Sequence, residues 1–269
     1  MENPTDNMSF LEHLEELRWH LIRATLAIVL MGCVAFFFKD FIFDELLFGP
    51  KRKDFLTYRL FCALAESLGG STDFCTNDLP FRVQSRTVAG QFSAHLWTSV
   101  LAGFIVAFPY VLYEFWRFIK PGLLKTERRT ARGFIFFASL LFFTGVLFGY
   151  YIVTPLSINF LGTYSVSSEI FNDFDLSSYI GLVRASVLAS GLIFELPILI
   201  YFLAQVGLVS PEFLRKNRKI ALVLVLSLSA IITPPDIASQ IIVSIPILIL
   251  YEISIFIARY IQRKQQLNT

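Results

Sequence analysis

YEFWRFIKPGLLKTERRTAR, residues 113–132, is the stretch from which the rest of the chain can be read. An uncharged apolar run ends just before it and another begins just after it, so it reads as a short loop between two membrane spans. Between Arg117 and Arg132 it carries six Lys/Arg in sixteen residues, and short loops rich in Lys/Arg stay on the cytoplasmic side. Glu127 sits among Lys125, Arg128 and Arg129. A carboxylate with cationic neighbours stays ionised, and its two oxygens match the flat fork of an arginine. Plain charge balance in a surface loop is the other reading of the same residue, since such pairs are common and weak.

Composition points the same way. Of 269 residues 55% are apolar and 16% charged, against about 25% charged in soluble domains. Several charge-poor runs approach the ~20 residues that cross a bilayer core. They are continuous rather than alternating, which excludes a transmembrane barrel. The expected fold is therefore all-α, a polytopic integral membrane protein forming one membrane domain over residues 1–269. The acidic start (Glu2, Asp6, Glu12, Glu15, Glu16) lacks the basic character of a cleavable signal peptide. His13, His20 and His95 are not clustered with cysteines or acids in any metal-binding spacing. No glycine-rich phosphate loop is present, and no nucleophile is paired with a base. No metal, no cofactor and no enzymatic activity are expected. Without a soluble basic domain, the basic loops speak for topology and not for nucleic acid.

Ser9 and Glu12 have capping-box spacing, and Phe10, Leu11, Leu14, Leu17 and Leu21 recur at helical spacing. An amphipathic start at the membrane surface should lead into span 1, Trp19–Phe38. Residues 39–92 form a long segment with seven basic and seven acidic residues. Long segments cross regardless of charge, so it is placed outside, with an amphipathic helix over Leu56–Leu68. Span 2 is Ala94–Phe115 and span 3 Gly133–Thr154, with Pro155 just after it. The next loop, Pro155–Ser178, has no Lys or Arg but three acids, Glu169, Asp173 and Asp175, and reads as outside. Span 4 is Tyr179–Val206, and the loop after it, with Arg215, Lys216, Arg218 and Lys219, is inside. Ser210, Pro211 and Glu212 there read as N-cap, first-turn proline and first-turn acid. Span 5, Ile220–Ile232, has thirteen residues, about 20 Å, which is short of a ~30 Å core. A tight outer turn, Thr233–Asp236, leads to span 6, Ser239–Ala258, also read as short. Six spans with both ends cytoplasmic result. Spans 5 and 6 should thin the bilayer beside them.

Several motifs, in order along the chain, resemble the TatC family, the receptor subunit of the twin-arginine protein translocase. His13, Leu14, Glu16, Leu17 and Arg18 resemble its N-terminal signature. Trp116, Phe118, Pro121, Leu124, Lys125, Glu127, Arg128 and Arg129 resemble its first cytoplasmic loop. Phe194, Glu195 and Pro197 resemble its fourth span, and Ser210, Pro211, Leu214, Arg215 and Lys216 its second cytoplasmic loop. Thr233, Pro234, Pro235, Asp236 and Gln240 resemble its last outer turn. The departures are a longer first outer segment with two cysteines, and His20 where a basic residue is common. The resemblance implies a subunit of the bacterial inner membrane that exports folded proteins carrying Arg-Arg signal peptides. Glu16 and Glu127 would receive the two arginines, with Arg18, Phe118, Arg128 and Arg129 around them. Partners implied are single-span TatA-type and TatB-type proteins in an oligomeric complex within the lipid bilayer.

Glu195 is read as the only charge at mid-depth, a residue that costs ~2.5–3.5 kcal/mol to insert and defaults to function. Together with Gln240 it is expected to contact a partner inside the membrane. A hydrogen bond that locks span packing is the alternative for Glu195. A proton-coupled small-solute transporter with Glu195 as carrier is the competing function, but such a transporter needs polar residues on several spans and broken helices at the midplane. Cys62 and Cys75, both in the first outer segment, would be free to bridge in an oxidising compartment; free thiols are the alternative. Cys33 reads as packing within span 1.

Overall fold

The computed structural model describes residues 10–67, 81–119, 131–167, 169–170 and 172–267. Apolar runs with no water to bond their backbone must satisfy it internally, and the described chain is mostly helical. The helices are α1 (Phe10–Phe37), α2 (Leu56–Ser67), α3 (Gly90–Ile119), α4 (Ala131–Phe148), α5 (Thr154–Thr163), α6 (Leu176–Phe194), α7 (Leu196–Gln205), α8 (Pro211–Lys216), α9 (Arg218–Ile232) and α10 (Ile237–Leu267). Five stretches are long and apolar enough to cross a membrane: Leu14–Phe37, Gly90–Ile119, Gly133–Thr163, Leu176–Gln205 and Ile237–Lys264. They turn large apolar side chains outward, Phe37 being 84% exposed, a surface suited to lipid and not to water.

The expected spans need three corrections. The third does not stop before Pro155. A π-helical stretch, Gly149–Val153, joins α4 to α5, and Pro155 falls in the first turn of α5, where its missing N–H is not needed. The hydroxyl of Thr154 donates to the Gly149 carbonyl at 2.8 Å, taking up one of the carbonyls that the change of winding frees. The fourth span is broken at Glu195, because Pro197 has no N–H to continue the ladder. The last helix is not short: α10 has 31 residues. Arg259, Arg263 and Lys264 end its apolar run, yet Arg, Lys and Gln are good helix formers and the helix continues. Only α9, with 15 residues, about 22 Å long, keeps the expected shortness, and it is not one of the five long apolar stretches.

Within this mostly helical chain the described residues also hold one short pair of strands. Arg82–Gln84 and Asp173–Asp175 pair as a parallel two-stranded ladder, Arg82 opposite Asp173 and Gln84 opposite Asp175. Arg86 reinforces it, its backbone N–H donating to Asp175 Oδ2 at 3.3 Å and its guanidinium to the Asp173 carbonyl at 3.2 Å.

The described residues fall into two compact units. One draws on Met1–Ile42 and Gln91–Leu140. In it α1 and α3 run antiparallel. His95 stacks on Phe36 with ring centroids 3.9 Å apart, Gly32 meets Ser99 and Gly103, and His20 meets Glu114. The crossing is close because Gly103 has no side chain: a β-carbon there would lie 2.4 Å from Gly32 N. Trp116 stacks on Phe134 at 4.8 Å, tying α3 to α4.

The other unit draws on Phe43–Gly90 and Leu141–Thr269. Gly145 and Gly149 lie against Ser186 and Ser190 of α6, at distances where an added β-carbon would sit 2.6 Å from the Ser190 and Ser186 carbonyls. This is the small-residue seam by which membrane helices approach closely. Irregular backbone in this unit finds hydroxyl donors, as buried carbonyls require. Tyr58 donates to Pro50 and Pro155 at 2.9 and 3.2 Å, Tyr150 to Leu46 at 2.9 Å and Tyr179 to Leu47 at 2.8 Å. The Thr57 hydroxyl donates to the Tyr151 carbonyl. The amphipathic helix expected over Leu56–Leu68 is α2. Toward the other end, α7 packs on α10 around Ile200, Ala204, Tyr251 and Ile255. Gly207, at φ +75°, ends α7 in the left-handed conformation that glycine allows. As the sequence predicts, the Ser210 hydroxyl accepts from Phe213 N at 3.1 Å and starts α8.

Two aspartates cap helices just outside the membrane stretches. Asp175 Oδ1 accepts from Ser177 N at 2.9 Å. Asp236 Oδ2 accepts from both N and Oγ of Ser239, at 2.8 and 2.7 Å. These hydrogen bonds hold both carboxyls below the usual aspartate range, for Asp236 chiefly through the Ser239 hydroxyl. A depressed carboxyl contributes its stability above the unfolded pKa and loses it as pH falls through the folded one. Asp236→Ala should therefore cost about 1 kcal/mol at neutral pH, and the gap to wild type should close well below about pH 4. Thermal unfolding in detergent at the two pH values measures this.

Candidate functional site

Two polar stripes face each other where the start of α1 meets the end of α3. On α1, Glu16, His20 and Arg23 share one face by their spacing of four and three. On α3, Tyr110, Glu114, Arg117 and Phe118 do the same. The antiparallel pairing brings the stripes level. Glu114 is 2% exposed. Its Oε2 lies 2.5 Å from His20 Nδ1 and 3.9 Å from Arg23 Nη1, and its Oε1 lies 3.9 Å from Arg117 Nη1. Tyr110, one turn before Glu114 on α3, lies beside the same carboxylate. A carboxylate this buried needs such partners, since an unpaired charge there would be far costlier.

Glu16 stands beside this cluster with its side chain 34% exposed and Oε1 3.9 Å from His20 Nε2. Its other oxygen, Oε2, is enclosed and has no hydrogen-bond partner. Phe118 places its ring edge-on to His20, centroids 6.4 Å apart. Arg18 is exposed on α1. Of the expected binding residues, Glu16, Arg18 and Phe118 thus lie at this end of the α1–α3 pair. Glu127, Arg128 and Arg129 lie outside the described residues, as does the Ser9 of the expected capping box. Sequence reading had no role for Glu114. Its signal was present: an acid one turn inside an apolar helix, opposite a histidine at i+4 from Glu16.

Glu195 occupies the break between α6 and α7, its N–H bonded to the Leu192 carbonyl at 3.1 Å. Its Oε1 is buried without a hydrogen-bond partner, so no intramolecular bond occupies that oxygen. Gln240 instead spends its amide within the protein, donating to the Leu226 carbonyl at 3.0 Å. A second charge in the Leu176–Gln205 stretch, the partly buried Arg184, escaped the sequence reading. Glu252 pairs with Arg218 at 2.6 Å. In the turn, Asp236 N donates to the Pro234 carbonyl at 2.7 Å; Pro234 is buried and Pro235 exposed. Cys62 is disulfide-bonded and Cys33 is a free thiol; Cys75 lies outside the described residues.

A helical integral membrane protein with a carboxylate-and-arginine cluster at one end of its first two long helices is the class defined so far. Comparison with known proteins narrows it. Residues 12–246 match the family described as Sec-independent protein translocase protein (TatC). The TatC of Blattabacterium sp. subsp. Periplaneta americana is 45% identical over 268 residues, covering 98% of this chain and 100% of that one. The TatC of Aquifex aeolicus is 34% identical over 260 residues, covering 96% and 98%. Two crystal structures of the twin arginine translocase receptor TatC superpose with TM-scores of 0.69 and 0.70 at 32% and 33% identity. They cover 93% and 92% of this chain, and 100% and 99% of their own. The chain belongs to the TatC family. It is a component of a protein translocase and not an enzyme, and these relatives lend no support to a solute transporter.

Proposed function

We propose that this chain is the signal-recognising core subunit of a translocase that exports folded proteins with Arg-Arg signal peptides. Glu16 and Glu127 each take one guanidinium, Phe118 adds an apolar or cation–π contact, and Arg18, Arg128 and Arg129 border the site. The supporting observation is Glu16 itself, a carboxylate at the end of the α1–α3 pair with one oxygen enclosed and unpartnered. Arginine suits it because the guanidinium keeps its charge and presents a fork that lysine lacks. The chain is read as six spans, α9 being the short fifth, with both ends cytoplasmic in the bacterial inner membrane. Residues 39–92 form the extended first outer segment of a single membrane domain, with Cys62 bridged to Cys75. Pro234, Pro235 and Asp236 form the last outer turn. Glu195, with its unbonded Oε1, faces TatA-type and TatB-type partners in an oligomeric complex.

Binding of a labelled Arg-Arg signal peptide to the full-length protein in nanodiscs tests this. Glu16→Gln should weaken binding by roughly 10- to 100-fold, as loss of a charge-assisted hydrogen bond implies, and Glu127→Gln should do likewise. A Lys-Lys peptide should bind worse than the Arg-Arg one to wild type. Equal affinities of the two peptides, or unchanged affinity in both variants, would overturn the assignment.

A further inference from the structure

Arg184 is the only Lys or Arg in the Leu176–Gln205 stretch, and the function proposed above gives it no task. It is half-buried. Among the described residues it has no ion pair and its guanidinium donates no hydrogen bond. A charged side chain inside a membrane stretch needs an anion and is a functional residue by default. Ser177, Gly181, Arg184 and Leu188 follow at steps of four, three and four along one edge of α6. On one side of that edge lies the buried face of Ile180, Val183 and Val187. On the other lies the exposed stripe of Ser178, Ala185 and Leu192. A long helical side chain leans toward the helix N-terminus, over the residues three and four before it. For Arg184 these are Gly181 and Ile180. Ile180 is fully buried, whereas a β-carbon at Gly181 would meet nothing within 4 Å. The way from Arg184 to the start of α6 is therefore an open notch, floored by a glycine and leading to the exposed Ser177.

We propose that Arg184 and the notch over Gly181 form a binding site for an anionic glycerophospholipid, whose phosphate takes the guanidinium. Depth favours this ligand. α6 begins at Leu176, and Arg184 lies about 12 Å along it. The 30-residue stretch is about 45 Å long, against a hydrocarbon core of ~30 Å, so both ends reach the headgroups. With the excess shared between the ends, the Arg184 Cα sits only ~5 Å inside the core boundary, and an arginine stem spans that distance by snorkelling. Glu195, eleven residues further on, is beyond such reach. The anion at hand is the lipid phosphate of the leaflet that the start of α6 faces, the outer one in the topology proposed above. A guanidinium grips phosphate oxygens through two parallel N–H donors and keeps its charge in an apolar setting. A headgroup without an ammonium leaves its phosphate uncompensated, which favours anionic over zwitterionic lipid. Asp175, the acid nearest in sequence, is engaged by the N–H groups of Ser177 and Arg86. The acyl chains follow the exposed Ala185 and Leu192, beside the notch.

Native mass spectrometry of the full-length protein in detergent, titrated with phosphatidylglycerol or with phosphatidylcholine of the same chains, tests this. Detergent solution has no sidedness, so an error in the assigned topology cannot by itself give a negative result. Wild type should bind a first phosphatidylglycerol tighter than further copies and tighter than phosphatidylcholine. Arg184→Leu should weaken that first site roughly tenfold, as loss of a charge-assisted hydrogen bond implies. Arg184→Lys, a point charge without the fork, should fall between the two. Gly181→Leu keeps the arginine but fills the notch, and should weaken the same site. Inorganic phosphate should not displace the lipid, having no chains to lie along the stripe. Melting points guard against misfolding. Without added lipid Arg184→Leu should match or exceed wild type, since it removes an unpaired charge, and only wild type should gain when phosphatidylglycerol is added. An unchanged first site in Arg184→Leu, or its displacement by inorganic phosphate, overturns the proposal. So does a variant that keeps the lipid but loses a copurifying single-span protein, because Arg184 would then serve a protein carboxylate.

Discussion

Gly103→Val is expected to abolish recovery of folded protein from the membrane. A β-carbon at this position would lie 2.4 Å from Gly32 N and 2.6 Å from both Gly32 Cα and the Ile28 carbonyl oxygen. All three are backbone atoms, so no rotamer change relieves the clash, and α1 and α3 must move apart. Overpacking in a close-packed interior costs typically 1–3 kcal/mol even where side chains can yield, so the cost here should be at least about 3 kcal/mol, a large part of a usual stability margin. Size-exclusion chromatography of a fluorescent fusion in mild detergent measures the outcome. Gly181→Val is the internal control, because a β-carbon at Gly181 meets nothing within 4 Å. A monodisperse Gly103→Val protein with the wild-type melting point would show that the two helices do not cross at these glycines.

Glu114→Ala carries the second large effect. It would leave His20 buried without its acceptor and set Arg23 and Arg117 near each other with nothing between them. Leaving the buried His20 donor without its acceptor costs about 1–3 kcal/mol, while Arg23 and Arg117, each nearly half exposed, stay solvated and add little. Glu114→Gln should cost less, since its amide oxygen still accepts from Nδ1–H. His20→Phe combined with Glu114→Leu should recover part of the loss, as apolar replacement of a buried pair often does. Melting points in nanodiscs, falling in the order wild type, Gln, Ala, check the argument. Equal melting points would mean the cluster is solvated and contributes nothing to the fold.

The parts legible in the sequence are those that depend on local composition. Charge-poor runs announced the long helices, and Ser210, Pro211 and Glu212 announced the start of α8. Span ends were harder, because a charge stops a helix from being apolar without stopping it from being a helix; α10 runs past Arg259 for that reason. Pro155 misled for the converse reason, since a proline in a first turn interrupts nothing. Pairings between distant residues left no local trace. Arg82–Gln84 finds Asp173–Asp175 across about a third of the chain, and His20 finds Glu114 only because two helices fold back on each other. Glu16 and Phe118 were found through a family resemblance, and Glu114 was not, because no motif includes it.

The glycine–serine seam between Gly145, Gly149, Ser186 and Ser190 has a practical consequence for anyone handling the protein. Its cohesion is short-range dispersion between backbones, helped by weak Cα–H···O contacts, and none of it comes from driving water off apolar surface. Exchanging lipid for a detergent micelle replaces one hydrocarbon medium by another and leaves that cohesion as it was. The seam is thus indifferent to its solvent, and delipidation during purification should spare it.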